Sequence, residues 1–178
     1  MIRVASKRDA AAMLAIYAPF VSDTSVSFEY EAPSLEEFGR RIQDISAKYP
    51  WLVWEQDGEV LGYAYASAAF QRAAYQWCAD MTIYLSPAAR RTGIGHALYS
   101  RLEAIMEALG YRWLYAIVVA TNADSCRFHE RRGYELLGVL KRCGWKQGKW
   151  HDINWYGLRI GGDEPPEGPP RRFDPSML

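Results

Sequence analysis

One segment limits the fold more tightly than any other: Ser86-Pro87-Ala88-Ala89-Arg90-Arg91-Thr92-Gly93-Ile94-Gly95-His96, set between a strand and a helix. Upstream, Trp77 to Leu85 alternates. Trp77, Ala79, Met81, Ile83 and Leu85 fall on one face, and Cys78, Asp80, Thr82 and Tyr84 on the other. Ser86-Pro87 ends the strand. Downstream a helix runs to about Leu109, where Gly110 stops it. Such a helix start presents unpaired backbone N–H groups and the positive end of the helix dipole. Glycines let that backbone approach a ligand, and Arg90 and Arg91 add charge, so the turn suits a pyrophosphate. It is not a Walker A loop, which would end in Gly-Lys-Ser/Thr, and Leu98 breaks a Gly-x-Gly-x-x-Gly dinucleotide fingerprint. The alternative is a Gly-rich helix start that serves only a tight turn.

The rest of the chain sets this unit in a larger sheet. Ile2 to Ala5 reads as a short strand, after which Ser6 caps a helix with Asp9 in the capping-box position. Met13, Leu14, Ile16, Tyr17 and Phe20 form its apolar face. A second helix opens at Ser34 with Glu37, and carries Leu35, Phe38, Ile42 and Ile45 at helical spacing. Trp51 to Glu55 and Val60 to Ala68 flank Asp57-Gly58, a hairpin signal. Arg112 to Val119 is an apolar strand. Asn122 caps a helix ending near Gly133, and Tyr134 to Leu140 and Ile153 to Ile160 are closing strands. The order β-α-α-β-β-β-α-β-α-β-β implies an α/β fold: a mixed sheet with helices on both faces. It occupies residues 1–160. The tail 161–178, with Gly161-Gly162 and five prolines, is expected to be an extended or mobile appendage.

Composition narrows the function classes. With 21 basic and 21 acidic residues among 178, the chain lacks the cationic surplus that bulk nucleic-acid binding needs. No apolar run is long enough to span a bilayer, and the N-terminus has no signal-peptide core, so a cytoplasmic location is expected. Cys78, Cys126 and Cys143 are too few and too widely spaced for a disulfide framework or a zinc knuckle, and reduced, mostly buried thiols are expected. His96, His129 and His151 lack the spacing of a zinc protease, and no metal is expected.

Arg90-x-x-Gly93-x-Gly95 resembles the Gln/Arg-x-x-Gly-x-Gly/Ala motif of the GNAT acetyltransferases, whose loop holds the pyrophosphate of coenzyme A. The element order agrees as well. Asn122 stands where the family uses an Asn on the pantetheine arm, and Ser125 follows at its small-residue position. Phe128 to Tyr134 is similar to the family's helix end before the sixth strand. A narrower likeness joins Tyr49 to Val53, Asp57 to Val60, Ala74 to Trp77, Ser86-Pro87 with Arg91-Thr92-Gly93, and Trp150 to Asp152. These blocks resemble the phosphinothricin and methionine sulfoximine N-acetyltransferases across roughly residues 1–160.

The resemblance implies acetyl-CoA as co-substrate, held by Ile83, Tyr84, Leu85, Arg90, Arg91, Thr92, Gly93, Ile94, Gly95, His96, Asn122 and Ser125. It implies a small amino-acid-like amine as acceptor, lined by Phe28, Glu29, Arg72, Ala73, Ala74 and Tyr75. A homodimer is implied, with Trp145 and Trp150 in a hairpin at its interface; no nucleic acid or membrane partner is expected. Acetylation of protein N-termini or lysines, or a non-catalytic coenzyme A-binding module, are the alternatives.

Acetyl transfer to an amine requires the ammonium to lose a proton, donors for the oxyanion, and stabilisation of the leaving thiolate. An alkyl amine has a pKa of about 10 and a thiol about 8.5, so the first requirement is the harder near neutrality. Asp80 is unusual in a strand and is a candidate base, or else an edge residue or ion-pair partner. The resembling enzymes carry Glu there, and the shorter Asp favours a water relay. His129 stands where many GNAT enzymes have a general-acid Tyr; with a pKa near 6.5 imidazole can serve as acid or base. Tyr84 either orients substrate or packs. Backbone N–H groups near Ile83, Tyr84 and Leu85 are expected to hold the thioester oxygen, provided the strand splays from its parallel neighbour.

Overall fold

The computed structural model describes every residue from Met1 to Leu178. Ser6 and Asp9 form the expected reciprocal cap, the Ser6 N–H donating to Asp9 Oδ2 at 2.7 Å. One turn of 3-10 helix over Lys7–Asp9 precedes α1 (Ala10–Ser22). Ser34 Oγ accepts from the Glu37 N–H and starts α2 (Leu35–Ser46). The strand β1 (Ile2–Val4) lies at one edge of the sheet. Asp57 and Gly58, with φ of 52° and 80°, make the primed turn between β2 (Trp51–Gln56) and β3 (Glu59–Ala68).

The chain then lays down β4 (Cys78–Leu85), α3 (Ile94–Ala108), β5 (Trp113–Val119) and α4 (Ala123–Arg131). Last come β6 (Glu135–Lys146) and β7 (Lys149–Arg159). All seven strands form one sheet in the order β1-β2-β3-β4-β5-β7-β6. Only β4 and β5 run parallel, and they pair at three positions alone: Cys78 with Trp113, Ala79 with Leu114, and Asp80 with Tyr115. Past Asp80 the two strands part, while each keeps its antiparallel neighbour, β3 and β7.

Alternation assigns the two faces. Leu52, Ala64, Ala66, Ala79 and Met81 join Leu98, Leu102 and Met106 of α3 in the larger core. Trp51, Val53 and Tyr63 join Met13, Tyr17, Phe38 and Ile42 of α1 and α2 in the other. Phe128 of α4 packs on the α3 side.

Three expectations change. The closing strands are longer than the apolar blocks suggest and meet at a turn of Gln147 and Gly148, with φ of 52° and 73°. Cys143 is exposed, while Cys78 and Cys126 are half-buried, all three as free thiols. The tail is docked. The Arg171 N–H donates to Leu109 O at 2.9 Å and the Phe173 N–H to Lys48 O at 3.1 Å, so the tail fills carbonyls that the end of α3 and the α2–β2 turn leave open. Phe173, Met177 and Leu178 pack against the larger core.

Candidate active site

The parting of β4 and β5 creates the site. The Ser86 N–H donates to Leu61 O, so the even-numbered residues of β4 bond to β3 and the odd-numbered ones turn their N–H and C=O away from it. Ile83 and Leu85 therefore present backbone groups to the gap, where β5 has already departed. The backbone groups of Tyr84 face β3 instead, which separates Tyr84 from the expected trio of free peptides. Unpaired strand peptides are uncommon inside a sheet and suit an extended ligand lying alongside.

Gly93 and Gly95 do different jobs at the mouth of the gap. Gly93 caps α3 at φ 90°, a conformation that favours glycine, and nothing lies within 4 Å of where a Cβ would be. Gly95 lets the helix approach the strand: a Cβ there would lie 3.0 Å from Leu85 and 3.5 Å from Ile83. Arg91 also has positive φ, 61°. The Thr92 hydroxyl donates to Ala89 O at 2.7 Å and tightens the turn. The Arg90 guanidinium lies over the Phe20 ring, 5.6 Å from its centre.

A cleft of about 930 Å³ runs from this turn between the parted strands. Arg90, Arg91, His96, Ile83, Tyr84, Leu85, Asn122 and Ser125 all line it. Thr92, Gly93, Ile94 and Gly95 form the turn at its mouth. Asn122 Oδ1 accepts from the Ser125 N–H at 3.3 Å as the cap of α4, which leaves its amide NH₂ for a ligand. Capping the C-terminus of α4, Arg132 pairs with Glu103 of α3 and also donates to His96 Nδ1 at 2.8 Å, so one guanidinium ties the end of α4 to α3.

His129 and Tyr99 close the cleft from the α3 side. His129 Nδ1 donates to Ser125 O at 2.8 Å, which leaves Nε2 to accept from the Tyr99 hydroxyl at 3.0 Å. The ring is buried, and burial pushes its pKa down to about 4. The expected titration near 6.5 thus does not hold: the imidazole is neutral at pH 7, with both nitrogens engaged. No local pattern marks Tyr99 in the sequence, where it falls among the apolar residues that bury α3.

Asp80 stands at the last paired position of β4, where the gap opens, with its side chain on the α1/α2 face. It enters none of the ion pairs, which removes the ion-pair alternative. Burial alone pushes its carboxyl up to about 6. Asp80 and His129 thus flank the gap from opposite faces of the sheet.

The expected acceptor residues lie on the Asp80 side. Arg72, Ala73, Ala74 and Tyr75 form an exposed stretch with a 3-10 turn over Ala73–Tyr75. The Tyr75 ring packs on Phe70 at 4.6 Å, and Phe70 reaches Tyr115 and Trp155 at 6.0 and 5.9 Å. Tyr115 is the register partner of Asp80, so these aromatics border the carboxylate. Phe70, Tyr115 and Trp155 were missed; the alternation of Trp113, Tyr115 and Ile117 along β5 was the available signal. Glu29 is tied to Arg41 at 2.5 Å, and Phe28 lies 6.0 Å from His151. Tyr84 packs between Tyr17 and Phe20, with ring centres 4.9 and 5.1 Å away.

Residues 2–155 match the acetyltransferase (GNAT) domain family. The chain is 36% identical over 155 residues to a phosphinothricin N-acetyltransferase of Streptomyces viridochromogenes, covering 87% of this chain and 85% of the relative. It is 28% identical over 163 residues to an L-methionine sulfoximine/L-methionine sulfone acetyltransferase of Salmonella typhimurium, covering 89% and 94%. Among solved structures, a GNAT phosphinothricin acetyltransferase from Sinorhizobium meliloti in complex with AcCoA superposes with a TM-score of 0.90 at 36% identity, covering 95% and 94%.

Proposed function

The chain belongs to the GNAT acetyltransferase family, and from that premise we propose that it moves the acetyl group of acetyl-CoA to the amino group of a small amino-acid-like acceptor of the phosphinothricin or methionine sulfoximine type. It is an acetyl-CoA-dependent N-acetyltransferase. One observation carries the reading: the gap beyond Asp80 holds free strand peptides, a glycine-capped helix start and a carboxylate raised to about 6.

The residues fit acetyl-CoA. Arg90, Arg91 and the N-terminus of α3 offer cations and N–H donors for a pyrophosphate. Ile83, Leu85 and the Asn122 amide offer an edge for an amide-bearing arm. When bound, acetyl-CoA would supply an activated acyl carbon and a thiolate leaving group, which would take the second proton of the attacking nitrogen and depart as free coenzyme A. The chain supplies the proton handling. Asp80, mostly ionised at pH 7, accepts a proton from the acceptor's ammonium through a water, and so exposes the nitrogen lone pair. The Ile83 N–H, the free strand donor nearer Asp80, would serve the carbonyl oxygen as charge builds on it, and the Leu85 N–H would be left to the arm. His129, held neutral, acts by fixing the Tyr99 hydroxyl rather than by carrying a proton.

Arg72 is proposed to meet the acceptor's carboxylate or phosphinate, since it is exposed and enters no ion pair. The working form is proposed to be a cytoplasmic homodimer. Leu136, Leu137, Val139 and Leu140 on edge strand β6, with the exposed Trp145–Trp150 pair, form an apolar surface that a second copy would cover. Light scattering tests this: a monomer mass at micromolar concentration refutes it.

The test of function is thiol release from acetyl-CoA across amino acids, their sulfone, sulfoximine and phosphinate analogues, peptides, polyamines and aminoglycosides. The highest kcat/KM is expected for the glutamate-sized analogues. A preference for a peptide N-terminus would overturn the acceptor class, and no release with any amine would overturn acetyl transfer itself.

A further inference from the structure

We infer that Lys146, at the tip of the β6–β7 hairpin, is a positioning residue for the amine acceptor: it fastens the loop between α1 and α2 that carries Phe28 and Glu29. The inference rests on reading those two residues as part of the acceptor wall.

Lys146 lies far along the chain from that loop, yet its Nζ donates to Val21 O at 2.6 Å and to Ser27 O at 2.7 Å. The side chain is buried, with 5% of the residue exposed. An ammonium in such a place is costly unless its protons are matched. Here it answers a carbonyl in the last turn of α1, one of those a helix leaves open, and one carbonyl of the loop. Glu29 is the carboxylate whose charge acts on it.

Two other contacts close the same seam, and a third braces the hairpin. The Tyr30 hydroxyl donates to Trp145 O at 2.9 Å. The Phe28 ring occupies the space a side chain at Gly144 would need, so the glycine allows the ring to sit flush on the strand. His151 Nε2 donates to Lys146 O at 3.0 Å and stiffens the hairpin tip from within. A register shift between Leu140 and Gly144, with Arg142 at φ 50°, sharpens the bend of β6 before the tip.

The seam continues to the reacting strand. The Ser27 hydroxyl, next to the carbonyl Lys146 holds, bonds the Tyr17 hydroxyl at 2.7 Å. Tyr17 packs edge-on against Tyr84 of β4. A hairpin outside the coenzyme cleft therefore reaches the acceptor side of β4 through Lys146, Ser27 and Tyr17. This chain of contacts meets the cleft only at its margin, through Thr24, Val26 and Tyr84, and does not include the Gly93 turn or Asn122, so losing it should disturb the acceptor far more than acetyl-CoA.

That separation is the test. Lys146→Met keeps the stem and removes the donors; the KM for the best amine should rise about tenfold or more, as expected for lost charged hydrogen bonds. The KM for acetyl-CoA should stay within about twofold, a split that general loosening of the fold would not produce. Lys146→Arg, which keeps charge and donors, should recover most of the amine KM. Hydrogen exchange adds a readout without turnover: amides of residues 23–30 should exchange faster in Lys146→Met, with those of α3 unchanged. If Lys146→Met fails to fold, Tyr30→Phe and Gly144→Ala should shift the amine KM in the same direction by a smaller factor. An unchanged amine KM, or equal rises in both KM values, overturns the inference while leaving acetyl transfer intact. A wild type that releases no thiol with any amine overturns the acetyl-transfer reading, and the acceptor role with it.

Discussion

Asp80 is a carboxylate in a strand, and the burial that makes it costly also makes it useful. Raised to about 6 without a charged partner, it is ionised at neutral pH yet basic enough to take a proton. The kcat/KM–pH profile, which reports the free enzyme, should fall on the acid side with one limb near 6. No second limb near 6.5 is expected, because His129 is held at about 4. Asp80→Asn should lower kcat by about 10²–10⁴-fold with little change in acetyl-CoA affinity. A kcat within a few fold of wild type would remove Asp80 from the mechanism. Gly93 offers a second residue-scale test. Its absent Cβ would meet nothing, so substitution there costs left-handed strain, roughly 1–2 kcal/mol, and no clash. Gly93→Ala measures that strain alone. Gly93→Asp adds a negative charge at the helix start and should weaken acetyl-CoA binding well beyond Gly93→Ala in calorimetry. Equal affinities for the two variants would detach the turn from the pyrophosphate.

At the scale of elements, signals that follow from backbone chemistry were legible. Ser6 with Asp9, Ser34 with Glu37, Asp57-Gly58 and the alternation of β4 all act over a few residues, and each formed the element it implied. The β6–β7 hairpin was read short because Lys141, Arg142 and Lys146 interrupt the apolar pattern and its turn is Gln-Gly rather than Asn-Gly. That turn still requires positive φ at both residues. Gly148→Val should therefore destabilise by roughly 1–2 kcal/mol, and Gln147→Asn, which tolerates the left-handed region better, should raise Tm. Both are measured by thermal unfolding, and a neutral Gly148→Val would contradict the turn. The site divides in the same way. The glycine-capped turn before α3 was visible because glycines and arginines cluster in sequence. The parting of β4 from β5, the neutral state of His129 and the partners Tyr99 and Tyr115 depend on packing between distant segments, and no local pattern encodes them.

For the whole molecule, Asp80 and His129 oppose each other in the pH dependence of stability. Asp80 rises from 3.8 in the unfolded chain to about 6, so its contribution is present below 3.8 and is lost as pH rises through 6. His129 falls from 6.5 to about 4, so its contribution is present above 6.5 and is lost as pH falls toward 4. Between roughly pH 4 and 6 the folded protein holds a proton on Asp80 while the unfolded chain holds one on His129. The two states then bind equal numbers of protons at these sites, and the slope of stability with pH is close to zero. Asp9, whose carboxyl is held low by Arg3, acts below that window. Asp80→Asn removes the folded-state proton and leaves His129 unopposed, so stability should climb with pH by about 1.4 kcal/mol per unit from 4.5 to 6. Above pH 6 the variant should exceed wild type by up to about 3 kcal/mol, the cost of a buried carboxylate. His129→Gln should give the opposite slope in the same window. Urea unfolding at half-unit steps of pH measures all three proteins. Parallel curves for wild type and Asp80→Asn would mean that the carboxylate is solvated in the folded state, which would also undercut its use as a base near neutrality.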